Sequence, residues 1–289
     1  MLQIMLSRVM IQIITIRIVT TLHNIFILAR YELSRMFLTR RGLLSLLAFA
    51  LVWFLVLRYA IYGAAQFFMA DSPGGLIVSF FNSTIINNLM SWQIPELAVF
   101  WVISLYLLPV FCVALTADQT ASDRARGTLR LLHLRATRDG IFFGRFFGQM
   151  LVLFVLVLLA LLSTLVLILL RDDSLLIPAL RLSFILLVNL LLVLLPYTAL
   201  MAWVSSMARS ARQATLYAVI IWIICSLVTG WLSSHFPGLW GLDKVLPGAQ
   251  VSGLLQLSGW NTLSLAYLPI IQTGVLLLLG RLMMQRSDW

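Results

Sequence analysis

The chain has 289 residues, of which 62% are hydrophobic and only 10% are charged, and its formal net charge is +10. This composition excludes an ordinary soluble globular domain and indicates a protein that lies in lipid. The long apolar runs are rich in Leu, Ile and Val, which predicts helices, because a membrane-spanning barrel would show short alternating strands. We therefore expect an all-α, polytopic membrane protein.

The N-terminal segment, residues 1–41, precedes the first long uncharged run. Its first part, residues 1–28, is apolar but contains Arg8 and Arg17, and no small-residue cleavage pattern follows it. These features disfavour a cleavable signal peptide. They favour a helix that lies in the membrane interface, with its arginines reaching the lipid headgroups.

Six apolar runs are long enough to cross about 30 Å of hydrocarbon as helices. They predict a transmembrane domain over residues 42–286. The predicted spans are residues 42–62, 97–117, 146–170, 182–208, 213–234 and 263–280.

A further stretch, residues 76–94, is moderately apolar but carries several amides, among them Asn82, Asn87 and Asn88. Unpaired amides are costly in hydrocarbon, so we interpret this stretch as a segment that lies against the outer end of the helices. Counting it as a seventh span would also place the most arginine-rich loop outside the cell.

The basic residues are distributed unevenly between the two ends of the predicted spans. Sixteen of the 20 Lys and Arg residues lie before the first span, between spans two and three, between spans four and five, or after span six. Positive charge near span ends resists translocation, so we expect these segments and both termini to be cytoplasmic. Topology and attraction to anionic lipid explain the basicity, and we expect no nucleic-acid partner.

The loop between spans two and three, residues 118–145, is the most polar part of the chain and contains six arginines. Residues 123–132 read Asp-Arg-Ala-Arg-Gly-Thr-Leu-Arg-Leu-Leu, and Gly144-Arg145 follows. This pattern resembles the stretch that permeases of the ABC type-2 transporter family carry after their second span. Asp123 stands where that family usually has Glu, and Arg145 where it usually has Lys, so both departures keep the sign of the charge.

A second stretch, residues 31–35, reads Tyr-Glu-Leu-Ser-Arg and is followed by Arg40-Arg41. It resembles the amphipathic helix that leads into the first span of such a permease. In the same family, half-helices that re-enter the membrane or lie at its interface precede the last span. The resemblance places them in residues 235–260, which are rich in Pro, Gly and Trp.

The resemblance implies the transmembrane subunit of an ATP-driven ABC transporter, working as an exporter and paired as a homodimer in a bacterial inner membrane. It implies coupling to a separate cytoplasmic ATPase through residues 118–145. The residues assigned to ATPase coupling are Asp123, Arg124, Arg126, Gly127, Thr128, Leu129 and Leu132. The helix before the first span contributes the contact residues Glu32 and Arg35.

Local sequence signals predict the shape of this loop. Gly127 is placed to end the inner extension of span two, and Thr128 to cap a short helix that follows it. Thr137, with Asp139 in the first turn, predicts the beginning of the helix that runs into span three.

The chain lacks the sequence of a nucleotide-binding loop, Gly-x-x-x-x-Gly-Lys-Ser/Thr, and its only lysine is Lys244. We therefore expect that it is not an enzyme and binds no cofactor itself, with ATP and magnesium held by the partner ATPase. The spacing of its cysteines and histidines predicts no metal site.

Two other functions remain open from the residues alone, a secondary carrier driven by ions and a membrane scaffold without transport activity. Ion-coupled carriers usually place ionisable groups at mid-membrane, whereas these span centres offer neutral polar side chains. The candidate path-lining residues are Asn189, Tyr197 and Gln272. They are equally interpretable as polar contacts between helices.

Overall fold

The computed structural model describes residues 23–63, 92–125, 127–134, 136–235, 242–257 and 259–286. Within these ranges the chain is helical and contains no strand. The described part of α1 covers residues 23–38. The remaining α-helices are α2 Arg40–Leu55, α3 Pro95–Thr116, α4 Ala121–Ala125, α5 Thr128–His133, α6 Arg138–Arg171, α7 Leu176–Met207, α8 Ala211–His235, α9 Val251–Leu254 and α10 Tyr267–Arg286.

In the described part of the chain, six helical segments are long and apolar enough to cross a membrane, as predicted. They are Gly42–Ile61, Pro95–Thr116, Arg138–Arg171, Asp173–Met207, Ala211–His235 and Gly259–Arg286. The first includes a π-helical turn, Val56–Ile61, that continues α2, and the last begins with the 3₁₀ segment Gly259–Leu265 before α10.

Helix α7 lies at the centre of the bundle and packs against α10, α6 and α3. The main apolar core lies between these helices and includes Trp101, Leu153 and Leu190, each almost completely buried. Helices α2 and α8 are peripheral, because only 17% and 6% of their most apolar stretches are buried within the chain. Their remaining apolar surface is available to lipid or to another subunit.

Two spans begin earlier than the sequence predicted. Helix α6 begins at Arg138, directly after the predicted cap Thr137, and continues without a break into the span that was predicted from residue 146. Helix α7 begins at Leu176 rather than near residue 182. The charge in the added first turn of α6 is paired within the fold, since Asp139 accepts from Arg281 of α10 at 2.7 Å. Pairing removes most of the cost of placing such charges on a helix that continues into the membrane.

The start of α6 confirms the predicted cap, since Thr137 accepts a hydrogen bond from the Gly140 N–H at 3.1 Å and Asp139 lies in the first turn. The short helix predicted after Gly127 is present as α5, but the prediction that Thr128 caps it was wrong. Gly127, with φ +70°, occupies the cap position, and Thr128 is the first helical residue. Its hydroxyl donates instead to the Asp123 carbonyl at 3.1 Å.

Some predicted segments lie largely outside the described residues, namely most of the interfacial helix in 1–28 and most of the segment 76–94. The described part of 235–260 contains two short helices after α8, the 3₁₀ helix Leu242–Val245 and α9. We call residues 242–265 the pre-α10 segment. Several of its side chains are buried against the bundle, including Gln250 and Leu254.

Candidate functional site

Three charged side chains meet at the end of the bundle that carries the arginine-rich loop, which we call the arginine-rich end. Arg145, in the second turn of α6, forms ion pairs with Glu32 of α1 and Asp123 of α4. The side chains of Arg145 and Glu32 are each 3% exposed, and that of Asp123 is 15% exposed. A buried cation between two carboxylates holds its partners firmly, because removing it would leave uncompensated buried charge.

Three further residues, Arg35, Asp118 and Gln149, extend this buried charge cluster. Arg35 of α1 donates to Asp118 at 3.2 Å, where the chain leaves α3, and lies 3.5 Å from Glu32. Gln149 of α6 donates to the second oxygen of Glu32 at 3.0 Å. The cluster therefore connects α1, the loop after α3, and α6.

Two glycines allow α1 to approach α6 at this point. A Cβ atom added to Gly148 would lie 2.8 Å from the side chain of Glu32, and one added to Gly144 would lie 2.9 Å from Leu28. Both distances are shorter than packed side chains tolerate. The glycines, one helical turn apart, let Glu32 reach Arg145 across a short gap between the helices.

A cavity of about 610 Å³ lies beside the cluster, between α1, α2, α3 and α6. Its wall includes Glu32, Arg35, Asp118 and Arg145 together with Arg40. It is thus a polar space within the arginine-rich end, next to the start of the spans.

The loop itself forms two short helices, α4 and α5, separated by Gly127. Arg124 donates to the carbonyl oxygen of Met207 at 3.1 Å, which places its guanidinium at the C-terminal end of α7. Burial, and secondarily the nearby charge of Arg209, lower the pKa of Arg124. A cation at a helix C-terminus is stabilised by the unsatisfied carbonyls there, so Arg124 joins α4 to α7.

Helix α5 has one partly buried and one exposed apolar side. Leu132 packs against a buried apolar cluster that includes Phe142 and Phe146 of α6. Leu131 and Leu134 are 66% and 83% exposed. The helix is therefore fixed to α6 by one leucine and presents two others outward.

Two of the predicted coupling positions fall beyond the structural description. Arg126 lies outside the described residues, and so does the side chain of Leu129. Of the remaining assigned residues, Asp123, Arg124, Thr128 and Leu132 all make contacts inside the chain, and Gly127 supplies the turn between α4 and α5.

The loop is also bonded to the middle and the end of α7. The hydroxyl of Ser205 accepts from the backbone N–H groups of Thr120 and Ala121 at 2.9 and 3.2 Å. Gln119 donates to the carbonyl of Thr198 at 3.2 Å. All of these groups are buried, so the loop and α7 form one packed unit.

The three candidate path-lining residues have a common feature: each binds the pre-α10 segment. Asn189 donates to the Thr262 hydroxyl at 2.8 Å, and the Tyr197 hydroxyl donates to the Pro247 carbonyl at 3.2 Å. Gln272 donates to the carbonyls of Lys244 and Leu246 at 2.7 and 2.9 Å. These side chains hold the segment against α7 and α10, and they do not meet one another.

Sequence reasoning did not assign three members of the buried charge cluster, Asp118, Arg145 and Gln149. Arg145 was noticed only as a variation on the family's Gly-Lys pair. The signal that identifies its role is the spacing of Gly144 and Gly148 around it, since small residues one turn apart indicate close helix packing beside a charge. Asp118 and Gln149 carry no comparable signal in the sequence.

A comparison with known protein families matches residues 27–286 to the family described as "ABC-2 family transporter protein". The chain belongs to this family. The match begins within α1 and ends with α10, so it includes the charge cluster, the loop and all six spans. No curated protein matches the chain.

Membership of the ABC-2 family confirms the resemblance drawn from the loop motif. This ABC-2 chain is a multi-pass integral membrane protein and a transmembrane component of an ABC transporter. Components of this kind are not themselves catalytic.

Proposed function

We propose that this chain is the transmembrane subunit of an ATP-driven exporter and that α4 and α5 are the element through which a separate ATPase acts on it. The observation that carries this proposal is the position of α4 and α5, which contact α6 and α7 directly and are connected to α1 through Arg145. A force applied to this element reaches three helices through buried contacts, and such contacts transmit displacement because packed interiors deform little.

The exposed leucines of α5 are the proposed contact with the ATPase. Leu131 and Leu134 present an apolar surface beside a loop rich in arginine. An apolar patch with a charged rim is typical of a protein interface. Asp123 and Arg124 then act inside the chain, by joining the contact element to α6 and α7.

The arginine-rich end is, in this proposal, the cytoplasmic end of the bundle in a bacterial inner membrane. The distribution of the 20 basic residues supports that orientation. ATP and magnesium are bound by the partner ATPase. The exposed faces of α2 and α8 support pairing with a second copy of the chain, because a translocation path needs walls on more than one side.

A reconstituted complex of this chain with its partner ABC ATPase tests the proposal. Arg124→Glu replaces the cation at the end of α7 with an anion, and we expect ATP hydrolysis to continue while cargo movement falls by at least about tenfold. Arg212→Glu, an exposed arginine at the start of α8, is the matched control. Wild-type transport by Arg124→Glu would refute the proposed route of coupling.

A pair of leucine variants tests the contact itself. Leu134→Ala removes an exposed side chain, so we expect weaker ATPase binding with unchanged thermal stability of the isolated subunit. Leu132→Ala removes a packed side chain and should lower stability instead, by about 2 kcal/mol or more. Equal ATPase affinity for Leu134→Ala and wild type would exclude α5 as the docking element.

A further inference from the structure

A second cavity lies at the opposite end of the bundle, far from the arginine-rich loop. Its volume is about 500 Å³, and it lies between the residues just before α3, the first turns of α7 and the 3₁₀ segment before α10. The neighbouring face of α7 carries Ile177, Leu180 and Phe184, which are 79%, 50% and 58% exposed. The cavity therefore borders on a helix face that is available to lipid.

The wall of this cavity carries an arginine, Arg181 of α7. Arg181 belongs to a membrane-spanning segment, and none of the carboxylates in the described part of the chain forms an ion pair with it. Arg171, at the same end, contrasts with it because it lies 3.0 Å from Glu96. An arginine near the end of a membrane span is stabilised by an anion at headgroup depth, and the described part of the chain supplies none to Arg181, so its guanidinium is available to an anion of the lipid.

The other residues of the cavity wall indicate how deep in the membrane the partner of Arg181 lies and what shape it has. Trp92 and Trp260 contribute indole rings, which prefer the level of the lipid headgroups. Gln93 adds an amide near them, while Leu182 and Ile185 supply apolar surface along α7. The cavity thus combines a cation at headgroup depth with an apolar groove that continues toward the hydrocarbon.

From this combination we propose that the cavity binds one anionic phospholipid from the leaflet at this end of the bundle. The guanidinium of Arg181 binds the phosphate through paired N–H groups, an arrangement for which arginine is better suited than lysine. The acyl chains lie against Leu182 and Ile185. The site does not depend on the proposed ATPase coupling.

Native mass spectrometry of the purified full chain, titrated with phosphatidylglycerol or phosphatidylcholine, tests the proposal. For wild type we expect the first phosphatidylglycerol to bind about tenfold more tightly than phosphatidylcholine. Arg181→Gln should abolish that preference, and Arg181→Lys should retain part of it. Arg58→Gln, which removes a cation that lies over Tyr59 and Tyr62 at the same end, should leave the preference unchanged.

Three results would overturn the proposal. Equal affinity of wild type for the two lipids would remove the evidence for a charge-selective site, and an equal loss in Arg58→Gln and Arg181→Gln would indicate diffuse attraction. Displacement of the bound lipid by millimolar glycerol phosphate would show that a free anion suffices. Circular dichroism and elution volume, matched between all variants and wild type, ensure that a loss of binding reports on the site rather than on misfolding.

Discussion

Glu32 of α1 and Arg145 of α6 form an ion pair in which each side chain is only 3% exposed. Removing one partner of such a pair strongly destabilises the protein, because the other partner is left as an uncompensated buried charge. Arg145 also binds Asp123, so the loss of Arg145 leaves two carboxylates without this cation.

Arg145→Gln should therefore lower the free energy of unfolding by about 3 to 5 kcal/mol. The double variant Glu32→Gln, Arg145→Gln should recover part of that loss, because it leaves one buried carboxylate fewer without a partner. Thermal unfolding in detergent measures both effects. Arg30→Gln, an exposed arginine on α1, is the control, and a loss of stability as large as that of Arg145→Gln would contradict the assignment.

Gly148→Ala tests the close approach of α1 to α6. The added methyl group would meet the Glu32 side chain at 2.8 Å and the Ala29 backbone at 3.1 Å, so we expect a loss of about 1 to 3 kcal/mol. Gly274→Ala in α10 meets nothing within 4 Å and should be neutral or stabilising, since alanine favours helix. Equal unfolding temperatures for the two variants would argue against a tight contact at Gly148.

The orientation of the bundle predicts a labelling pattern for single cysteines. Cys112 and Cys225 are first replaced by serine. In intact cells, Ser210→Cys should then be protected from a membrane-impermeant thiol reagent, whereas Ser174→Cys and Ser252→Cys should react. The reverse pattern would place the arginine-rich end outside and would invalidate the proposed sidedness.

Gln272→Leu should loosen the pre-α10 segment, because it removes the hydrogen bonds to the carbonyls of Lys244 and Leu246. Each such bond in a membrane protein contributes about 0.6 to 2 kcal/mol, so we expect faster hydrogen exchange in residues 242–257 without global unfolding. Thr273→Val removes only a bond within α10, to Pro269, and serves as the control. Unchanged exchange in Gln272→Leu would mean that the apolar contacts alone retain the segment.

The spans were predictable because hydrocarbon thickness fixes the length of an apolar run, and α8 begins and ends within two residues of its predicted bounds. The beginning of α6 was predictable from Thr137 and Asp139, but the role of Arg145 was not, because Arg145 was counted among the loop charges until Glu32 and Asp123 were seen beside it. Gly144 and Gly148 indicate a close helix contact beside Arg145, but nothing local identifies partners that are so distant in sequence.

The candidate site was predicted in part for the same reason. The loop motif indicated which segment couples to the ATPase, but it did not predict which residues the side chains of Asp123 and Arg124 contact. The structure places Asp123 against α6 and Arg124 against α7, whereas the sequence analysis assigned both residues to the contact with the ATPase. Asn189, Tyr197 and Gln272 were recognised as unusual polar residues, yet their common partner, the pre-α10 segment, is defined only by the fold.

Tyr197 and Thr198 are consecutive residues of α7, yet they face the two ends of the molecule: the hydroxyl of Tyr197 bonds to Pro247, and the carbonyl of Thr198 accepts from Gln119. Neighbouring residues on a helix differ in height by only about 1.5 Å. The attachment of the arginine-rich loop to α7 is therefore one residue away from the attachment of the pre-α10 segment. A shift of the loop has to pass through only this short length of helix to reach that segment. Pro196, directly before them, lacks the N–H that would bond to the preceding turn, so α7 is easiest to bend where these two attachments meet.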